Sequence, residues 1–463
     1  MKKAIRLIVF LLVLVGVLLG TYRVYAWKDT SGDYLSSTQQ LYHTPENTID
    51  VAFAGSSHCY CTIYPALLWE KNGIAAFDAA TSGQDKATTY HLLVELCKTQ
   101  SPKVVWVDLY GLLLDRQEIE GNTYRNMLAM KTSKNSIELI KEYVEPQRQM
   151  DFFLKWPIVH TRFWELWKYD YLQYEPSTYG RGAVYQWGVE IPDKGDFETD
   201  QIGELSEVNL NWLNRLCQLS EKEGFELVFF VAPFRVYEDE QEIINAAGQF
   251  AKERGIAFFD FNKMGEELAI DYETDFRESF HLNAYGAEKV TEFVRQYLLE
   301  HYDLPDRRGD SRYEVWDKDL TWYRHLEFRG LLMSGRGINE VLDAIDQMDQ
   351  IFVAVDVRTD GRTINEDEIQ FLERLGFTRE EVQEGGSWIL QDGEKKKVLE
   401  DQGKVKEYSQ ELNKYDSIRI RRGENRTAGD ICINYEELLQ MDCTVTVIVY
   451  DLFLQERMPY LGF

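Results

Sequence analysis

The 463-residue sequence predicts an α/β fold with a parallel sheet, a smaller second domain and one N-terminal transmembrane helix. Between residues 48 and 305, short apolar runs alternate with amphipathic segments of helical length. This alternation is typical of βαβ units, whose helices cover both faces of the sheet. An apolar run opens the chain. A charged, turn-rich stretch near residue 305 separates the alternating segments from the region predicted to form the second domain.

The N-terminal run predicts a membrane anchor, or a signal segment, over residues 1–26. Leu7–Gly20 contains no charged residue, and three positive charges precede it, on Lys2, Lys3 and Arg6. A spanning helix needs ~20 apolar residues and a signal-peptide core ~7–15, so this length falls between the two. We favour a retained anchor because the bulky Tyr25 makes Val24-Tyr25-Ala26 a poor cleavage site. The charges predict a cytoplasmic N-terminus in the cell membrane, and a linker over residues 27–47 leads to an extracytoplasmic body.

Composition excludes several classes of function. The formal net charge of -27 argues against nucleic-acid binding, which requires a basic surface, and against lying flat on anionic lipid. Six cysteines are too few and too scattered for a disulfide scaffold. No cluster of side chains has convincing metal spacing and no glycine-rich phosphate loop follows a strand, so we predict no cofactor.

The first domain is predicted over residues 48–305. Its expected strands are Ile49–Ala54, Ile74–Asp78, Val104–Leu109, Leu227–Ala232 and Ile256–Phe261. The expected helices include Pro65–Lys71, Ala87–Lys98 and Asp239–Arg254. In open α/β sheets, functional residues cluster outside the carboxyl ends of the strands. Ser57, Gly83 and Tyr110 lie at or just beyond such ends.

Two further regions complete the prediction. An aromatic-rich insertion at about residues 115–205 predicts a helical cap, which either packs its own small core or covers the site. The stretch Leu304–Asp310 predicts a domain boundary. Residues 315–463 then form an accessory α/β or α+β domain. Its expected elements are strands at Ile351–Val357 and Thr444–Tyr450, a helix at Glu366–Leu375 and a candidate helix at Tyr408–Asn413.

Gly55-Ser56-Ser57-His58 follows the first predicted strand and places a candidate nucleophile on a sharp turn. A free hydroxyl is a weak nucleophile, so Ser57 would need a base. The alternative is that Ser56 and Ser57 only cap the next helix. Adjacent side chains on a turn usually diverge, so we do not expect His58 to be that base. It either lines the site, as a substrate-binding residue, or packs structurally.

The segment around His281 offers the base. Glu278 precedes His281 by three residues, so a single turn can direct its carboxylate at the imidazole. Such a contact fixes the tautomer and stabilises the imidazolium formed during reaction. Asp275 is an alternative acid, and a loop histidine satisfied by its neighbours is the alternative interpretation. Ser57, His281 and Glu278 are therefore the candidate catalytic residues.

These motifs resemble the SGNH, or GDSL-like, hydrolase superfamily over about residues 45–305. They are most similar to its membrane-anchored extracellular branch, which includes the D-alanyl-transfer protein of teichoic-acid operons and the alginate O-acetylation proteins. Three blocks carry the likeness: Gly55-Ser56-Ser57, Thr81-Ser82-Gly83-Gln84 and Glu278-x-x-His281-Leu282-Asn283. The resemblance implies a three-layer SGNH-type domain with Ser57 as nucleophile. It also implies an oxyanion hole formed by the N–H groups of Ser57 and Gly83.

The sequence departs from the family pattern twice. The family's acid is usually Asp, whereas this chain has Glu278. The family's third block ends with an asparagine whose amide completes the oxyanion hole, and Val107–Gly111 contains none. Losing one such donor costs on the order of 10²–10³ in rate. Gln84, Tyr110 or a residue of the cap is a candidate substitute, and Gln84 and Tyr110 are also candidate substrate-binding residues.

The resemblance implies an extracytoplasmic serine esterase or O-acyltransferase that acts on a cell-envelope polysaccharide or polymer. It also implies a membrane-bound O-acyltransferase as partner. Arg162 in the insertion is a candidate for binding a carboxylate or phosphate, the alternative being a surface salt bridge. The two departures favour another class, a catalytically inactive SGNH-fold scaffold or a glycan-binding component of an envelope complex. Hydrolysis of a lipid or small ester differs from the first hypothesis only in the cleft under the cap.

Overall fold

The structure, a computed structural model, describes most of the chain. The described residues are 2–26, 36–114, 120–166, 168–171, 179–193, 195, 197–333, 345, 348–359, 363–400, 406–422, 431–434, 436–437, 444–458 and 461–462. They divide into two compact units, Met1–Leu320 and Thr321–Phe463. The division falls a little beyond the charged stretch Leu304–Asp310.

The first unit contains a five-stranded parallel sheet. Its strands are β1 (Val51–Gly55), β2 (Ala76–Ala80), β3 (Val104–Asp108), β4 (Glu226–Val231) and β5 (Ala257–Asp260), in the spatial order β2-β1-β3-β4-β5. A two-stranded hairpin, β6 (Phe276–Glu278) and β7 (His281–Leu282), follows. The parallel pairing of all neighbouring strands in the larger sheet confirms the predicted α/β class.

Helices cover both faces of this sheet. In chain order, the described α-helices up to residue 333 are α1 (Lys2–Tyr25), α2 (Ser36–His43), α3 (Ser57–Tyr60), α4 (Pro65–Asn72), α5 (Lys86–Leu96), α6 (Glu120–Ala129), α7 (Lys134–Tyr143), α8 (Gln149–Leu154), α9 (Trp156–Val159), α10 (Lys168–Tyr171), α11 (Glu207–Glu223), α12 (Glu238–Glu253), α13 (Ala284–His301) and α14 (Glu314–Met333). On one face of the sheet lie α5, α11 and α12, and on the other α3, α4 and α13. Alternate strand residues face opposite sides of a sheet. Phe77, Val107 and Phe229 therefore pack with α5, α11 and α12, whereas Phe53 and Trp106 pack with α3, α4 and α13.

The N-terminal segment of the first unit differs from the prediction in one place. Within the described residues, α1 is long and apolar enough to cross a membrane or to act as a signal sequence. The predicted linker is partly helical, because Ser36–His43 forms α2. Leu41 is buried in the core and the Ser37 hydroxyl donates to the carbonyl oxygen of Asp78, so tertiary contacts order this polar stretch. Residues 27–35 of the predicted linker lie outside the described residues.

The described part of the insertion is helical from α6 to α10, whereas its described residues between 179 and 205 form no helix. Met127, Leu139 and Phe152 belong to the same apolar cluster as the sheet face that packs with α5, α11 and α12. The described helices therefore extend the main core, whereas the sequence weighed a separate small core. Residues 115–119, 167, 172–178, 194 and 196 of the insertion lie outside the described residues.

The second unit is built from antiparallel strands. They are β8 (Ile351–Val357), β9 (Gly386–Gln391), β10 (Glu394–Glu400), β11 (Lys406–Glu411), β12 (Ser417–Arg422), β13 (Ile431–Ile433), β14 (Glu436–Glu437), β15 (Val445–Asp451), β16 (Glu456–Arg457) and β17 (Leu461–Gly462). One sheet has the order β10-β9-β8-β15-β16 with β17 beside β15, and the other β11-β12-β13-β14. Two helices, α15 (Glu366–Arg374) and α16 (Arg379–Glu384), pack on the larger sheet.

One element of the second unit corrects a prediction. The candidate helix at Tyr408–Asn413 is wrong, because residues up to Glu411 form strand β11. Tyr408 pairs with Ile420 across the antiparallel ladder and packs against the cluster between the two sheets. Pairing with β12 therefore overrides the local preference of this stretch.

Candidate active site

The turn after β1 places Ser57 at the carboxyl edge of the parallel sheet. A Cβ at Gly55 would lie 2.6 Å from the Cβ of Asp108, so only glycine lets the turn pass so close to β3. Ser56 caps α3, because its Oγ accepts a hydrogen bond from the N–H of His58 at 3.2 Å. Of the two serines that could cap the helix, Ser56 does so. Ser57 is the first residue of α3, and its hydroxyl meets a different partner.

That partner is His281 on β7. Ser57 Oγ lies 2.8 Å from His281 Nε2, and His281 Nδ1 is hydrogen-bonded to Glu278 Oε1. An ionised carboxylate only accepts hydrogen bonds, so Nδ1 carries the ring proton and Nε2 is left to accept the hydroxyl proton of Ser57. The three residues are thus linked in the order nucleophile, base and orienting acid.

The hairpin and the helix after it position the base and its acid. Glu278 and His281 are partners across the β6–β7 pair, so their side chains meet directly. Asn283 caps the start of α13 with its side-chain oxygen. Its Nδ2 donates to the carbonyl oxygens of Thr274 at 2.7 Å and Phe276 at 3.3 Å. The backbone around His281 is therefore tied to a long helix.

The pKa of Glu278 lies below its ordinary value. Burial alone would raise this pKa, but the hydrogen bond and charge of His281 lower it. The N–H of Phe280, which donates to Oε2 at 2.9 Å, and the charge of Arg277 lower it further. Glu278 is therefore ionised at neutral pH and can stabilise an imidazolium at His281.

Asp275, the alternative acid, is placed elsewhere. Its buried carboxylate accepts hydrogen bonds from the N–H of Asp271 at 2.7 Å and from Thr274 Oγ1 at 2.9 Å. It also pairs with Lys289 Nζ at 2.6 Å. These partners give Asp275 a structural role in the loop before the hairpin, and the acid beside His281 is Glu278.

His58 is packed beside the candidate base and is almost fully buried. Its buried ring stacks on Tyr110 with centroids 3.6 Å apart and meets the edge of Phe234 at 5.0 Å. The ring of His281 is also 5.0 Å away. Burial, and then the charge of His281, hold the pKa of His58 well below its ordinary value. His58 is therefore neutral and does not compete with His281 as a base.

Asp108 at the end of β3 is a site residue that the sequence did not single out. The Ser56 hydroxyl donates to Asp108 Oδ2 at 3.3 Å, and the N–H of Tyr110 donates to Oδ1 at 3.2 Å. Burial raises the pKa of Asp108 to about 7, and these hydrogen bonds limit the rise. Asp108 thus ties the serine turn to the third strand. Its position at a strand end was the available signal.

The loop after β2 brings Gly83 to the same edge of the sheet as Ser57, because β1 and β2 are parallel neighbours. Gly83 has φ +57°, and a Cβ there would lie 2.2 Å from Nδ2 of Asn122 on α6. Glycine therefore permits a side-chain amide to approach this loop. From the sequence we expected a substitute donor at Gln84, at Tyr110 or in the cap, and Asn122 was not singled out. No local pattern could identify it, because folding alone brings α6 to this loop.

Gln84, a second candidate for substrate binding, supports the same loop from within. It is buried, and its Nε2 donates to the carbonyl oxygen of Ala79 at 3.1 Å and to Thr89 Oγ1 at 3.2 Å. Its Oε1 accepts from Thr81 Oγ1 at 2.9 Å. Both amide protons are used inside the protein, so Gln84 orders the loop that carries Gly83 and is not presented to a substrate.

Arg162, a further candidate for substrate binding, is bound to the end of the N-terminal helix. It is 7% exposed, and its guanidinium donates to the carbonyl oxygens of Tyr25 at 2.6 Å and Ala26 at 2.8 Å. It also pairs with Asp170 at 3.2 Å. Arg162 also lies 3.7 Å from the exposed Glu165, but its buried guanidinium is not presented to a substrate. It joins the insertion to the end of α1.

The site holds the components of acyl transfer at a serine: a nucleophile, a base, an orienting carboxylate and an adjacent amide. Among the described residues, no group of three or more His, Cys, Asp or Glu side chains could hold a metal ion. No protein-family model matches the chain, and no curated protein sequence matches it.

Proposed function

We propose that this chain is a membrane-anchored, extracytoplasmic serine esterase or O-acyltransferase of the SGNH type. The proposal is carried by one observation, the continuous contact from Ser57 Oγ to His281 Nε2 and from His281 Nδ1 to Glu278. These groups are brought together from opposite ends of the first unit. A histidine satisfied only by its neighbours would not require the serine.

In the proposed reaction, Ser57 Oγ attacks the acyl carbonyl carbon while His281 Nε2 takes the hydroxyl proton. Glu278 stabilises the resulting imidazolium and keeps the ring in the required tautomer. His281 then returns the proton to the leaving oxygen, which breaks the original ester bond and leaves the acyl group on Ser57. Attack by water gives hydrolysis, and attack by a hydroxyl of a second substrate gives transfer.

The negative charge on the carbonyl oxygen of the intermediate requires hydrogen-bond donors. The N–H groups of Ser57 and Gly83 are the candidates carried over from the family resemblance. The side-chain amide of Asn122 is a candidate for a third donor, because it lies against Gly83. It would compensate for the asparagine that the third strand lacks.

The anchoring proposal is supported by contacts at the end of α1. Cleavage after Ala26 would remove two of the carbonyl acceptors of the buried Arg162 guanidinium from the protein. A retained α1 keeps them. We propose a cell-envelope polysaccharide or polymer as acyl acceptor, and a membrane-bound O-acyltransferase as partner, from the family resemblance.

The contact between Ser57 and His281 favours this proposal over a catalytically inactive scaffold. A fluorophosphonate probe on the full chain in detergent, read by intact mass, tests it. We expect one adduct, which is lost in Ser57→Ala and retained in Ser56→Ala, the neighbouring serine that caps α3. An adduct that persists in Ser57→Ala would remove Ser57 from the mechanism, and no adduct on the folded wild type would leave the scaffold as the better interpretation.

A further inference from the structure

The insertion exposes an apolar surface between residues 149 and 164, which we call the interface segment. Its buried side contributes Phe152 and Val159 to the interior. Its exposed apolar residues are Met150, Leu154, Phe163 and Trp164. Trp164 is 84% exposed and Leu154 62%. Large apolar side chains exposed together mark an interaction surface.

Polar contacts fix the interface segment in place, so this exposure does not result from loose packing. Lys155 Nζ donates to the carbonyl oxygens of Leu128 at 3.0 Å and Met130 at 2.7 Å, where α6 ends. Arg162 donates to the carbonyl oxygens at the end of α1. The ring of Trp156 packs against Tyr25, with centroids 5.2 Å apart. The segment is therefore held against both α6 and α1.

A cavity of about 880 Å³ lies between the interface segment and α1. Its mainly apolar walls include Leu18, Leu19 and Tyr22 of α1, and Phe153, Leu154 and Trp156 of the segment. Leu19 is 66% exposed, so one wall continues into the outer surface of α1. The cavity can thus be entered from the side, along α1.

The position of this cavity along α1 indicates what surrounds it. The 24 residues of α1 extend ~36 Å at 1.5 Å per residue, against ~30 Å for a bilayer core. Leu18 and Leu19, in the C-terminal half, therefore lie at the depth of one leaflet. Tryptophan side chains concentrate at the boundary of that leaflet, and Trp156 lines the cavity beside this half of α1 and packs against Tyr25. Water in so apolar a cavity would be unfavourable.

Building on the membrane anchoring proposed above, we propose that the interface segment is embedded in the headgroup region and that the cavity holds an acyl chain of a bilayer phospholipid. The lipid is favoured as occupant because the cavity wall is continuous with the surface that α1 turns to the bilayer. An acyl chain enters it sideways without leaving hydrocarbon. The net charge of the chain argues against flat binding to anionic lipid, but this contact depends on apolar side chains instead.

Photolabelling of the full chain in phosphatidylcholine vesicles tests the proposal. The probe is phosphatidylcholine with a diazirine on one acyl chain, and adducts are mapped by peptide mass spectrometry. We expect adducts on α1 and on residues 153–160. Leu18→Trp, which fills the cavity, should lower the adducts on 153–160 several-fold. Leu12→Trp is the matched control, because Leu12 is exposed on the same helix but does not line the cavity.

The outcomes separate the cavity from the anchor. Adducts confined to α1 would support the membrane anchor but would show that no acyl chain enters the cavity. A protein segment would then be its occupant, and the proposal would be overturned. Absence of adducts on α1 would overturn the anchoring itself. Equal loss on 153–160 in both tryptophan variants would also overturn the lipid site.

A second measurement leaves the cavity unchanged. Brominated acyl chains should quench the tryptophan fluorescence of the wild type. The quenched fraction should be smaller in Trp164→Phe. It should not be smaller in the control Trp388→Phe, since Trp388 is buried in the second unit. Equal quenching of the wild type and Trp164→Phe would place the interface segment outside the bilayer and overturn the proposal.

Discussion

The carboxyl edge of the parallel sheet and the interior behind it differ in how their polar side chains are paired. At the edge, Ser57, His281 and Glu278 are partly exposed and each has a partner. In the interior, Asp78 on β2 is fully buried, and neither of its carboxyl oxygens has a hydrogen-bond partner among the described residues. An unpaired buried carboxyl destabilises the fold, whereas the paired groups at the edge have the arrangement that the proposed acyl transfer needs. Changes at the edge should therefore alter turnover, and changes at Asp78 should alter unfolding.

The largest expected effect is at Glu278. Glu278→Gln keeps the shape of the side chain but removes the charge and allows the wrong imidazole tautomer. We expect kcat for an activated ester such as p-nitrophenyl acetate to fall by roughly 10⁴-fold, the loss seen when the acid of a serine triad becomes an amide. Steady-state kinetics on the full chain in detergent measures it.

Asp275→Asn is the matched control for Glu278→Gln. It removes the ion pair with Lys289 but leaves His281 and its partner untouched. Thermal stability should fall while kcat stays close to the wild-type value. If Asp275→Asn lost as much activity as Glu278→Gln, the two carboxylates would not have the separate roles that the structure gives them.

Asn122 offers a smaller effect on the same edge. Asn122→Ala removes the amide beside Gly83, and we expect kcat to fall by about 10²–10³ with little change in KM, since the donor acts on charge formed in the transition state. The matched control is Asn126→Ala on the same helix, a buried amide that should affect stability rather than kcat. Unchanged kcat in Asn122→Ala would leave the oxyanion hole to backbone N–H groups alone.

The smallest effect is thermodynamic and lies in the interior. Burial raises the pKa of Asp78 well above its ordinary value, so the folded protein keeps a proton that the unfolded chain releases as pH rises. The free energy of unfolding therefore falls with pH above the unfolded pKa, by up to ~1.4 kcal/mol per unit until the folded pKa is reached. Asp78→Asn should remove this fall, so its stability relative to the wild type should increase from pH 4 to pH 8.

Hydrogen exchange of the β1 and β2 amides measures this difference within the first unit. A global unfolding curve would combine the unfolding of both units. Asp50→Asn is the matched control, because Asp50 is a buried carboxylate paired with Arg307 and its loss should lower protection. Turnover should be unchanged in Asp78→Asn. A stability difference that does not vary with pH would contradict the assignment of a protonated Asp78.

The periodic segments of the fold were predictable from the sequence. The strands β1 to β5 lie within a few residues of their expected positions, because strands of a parallel sheet covered on both faces consist mainly of apolar residues. Ser36–His43 and Lys406–Glu411 were not predictable. In both segments, long-range contacts order a polar stretch that has no strong local pattern: α2 packs through Leu41, and β11 pairs with β12.

The sequence by itself determined which chemical groups the candidate site contains, and the tertiary structure decided which of them meet. Glu278 and His281 are three residues apart, so a hairpin brings them together and spacing alone could indicate it. The contact of Ser57 with His281, the approach of Asn122 to Gly83 and the commitment of Arg162 to α1 join residues far apart in the chain. Sequence patterns report burial and local hydrogen bonding. Contacts between distant residues depend on strand order and helix packing, which no local pattern encodes.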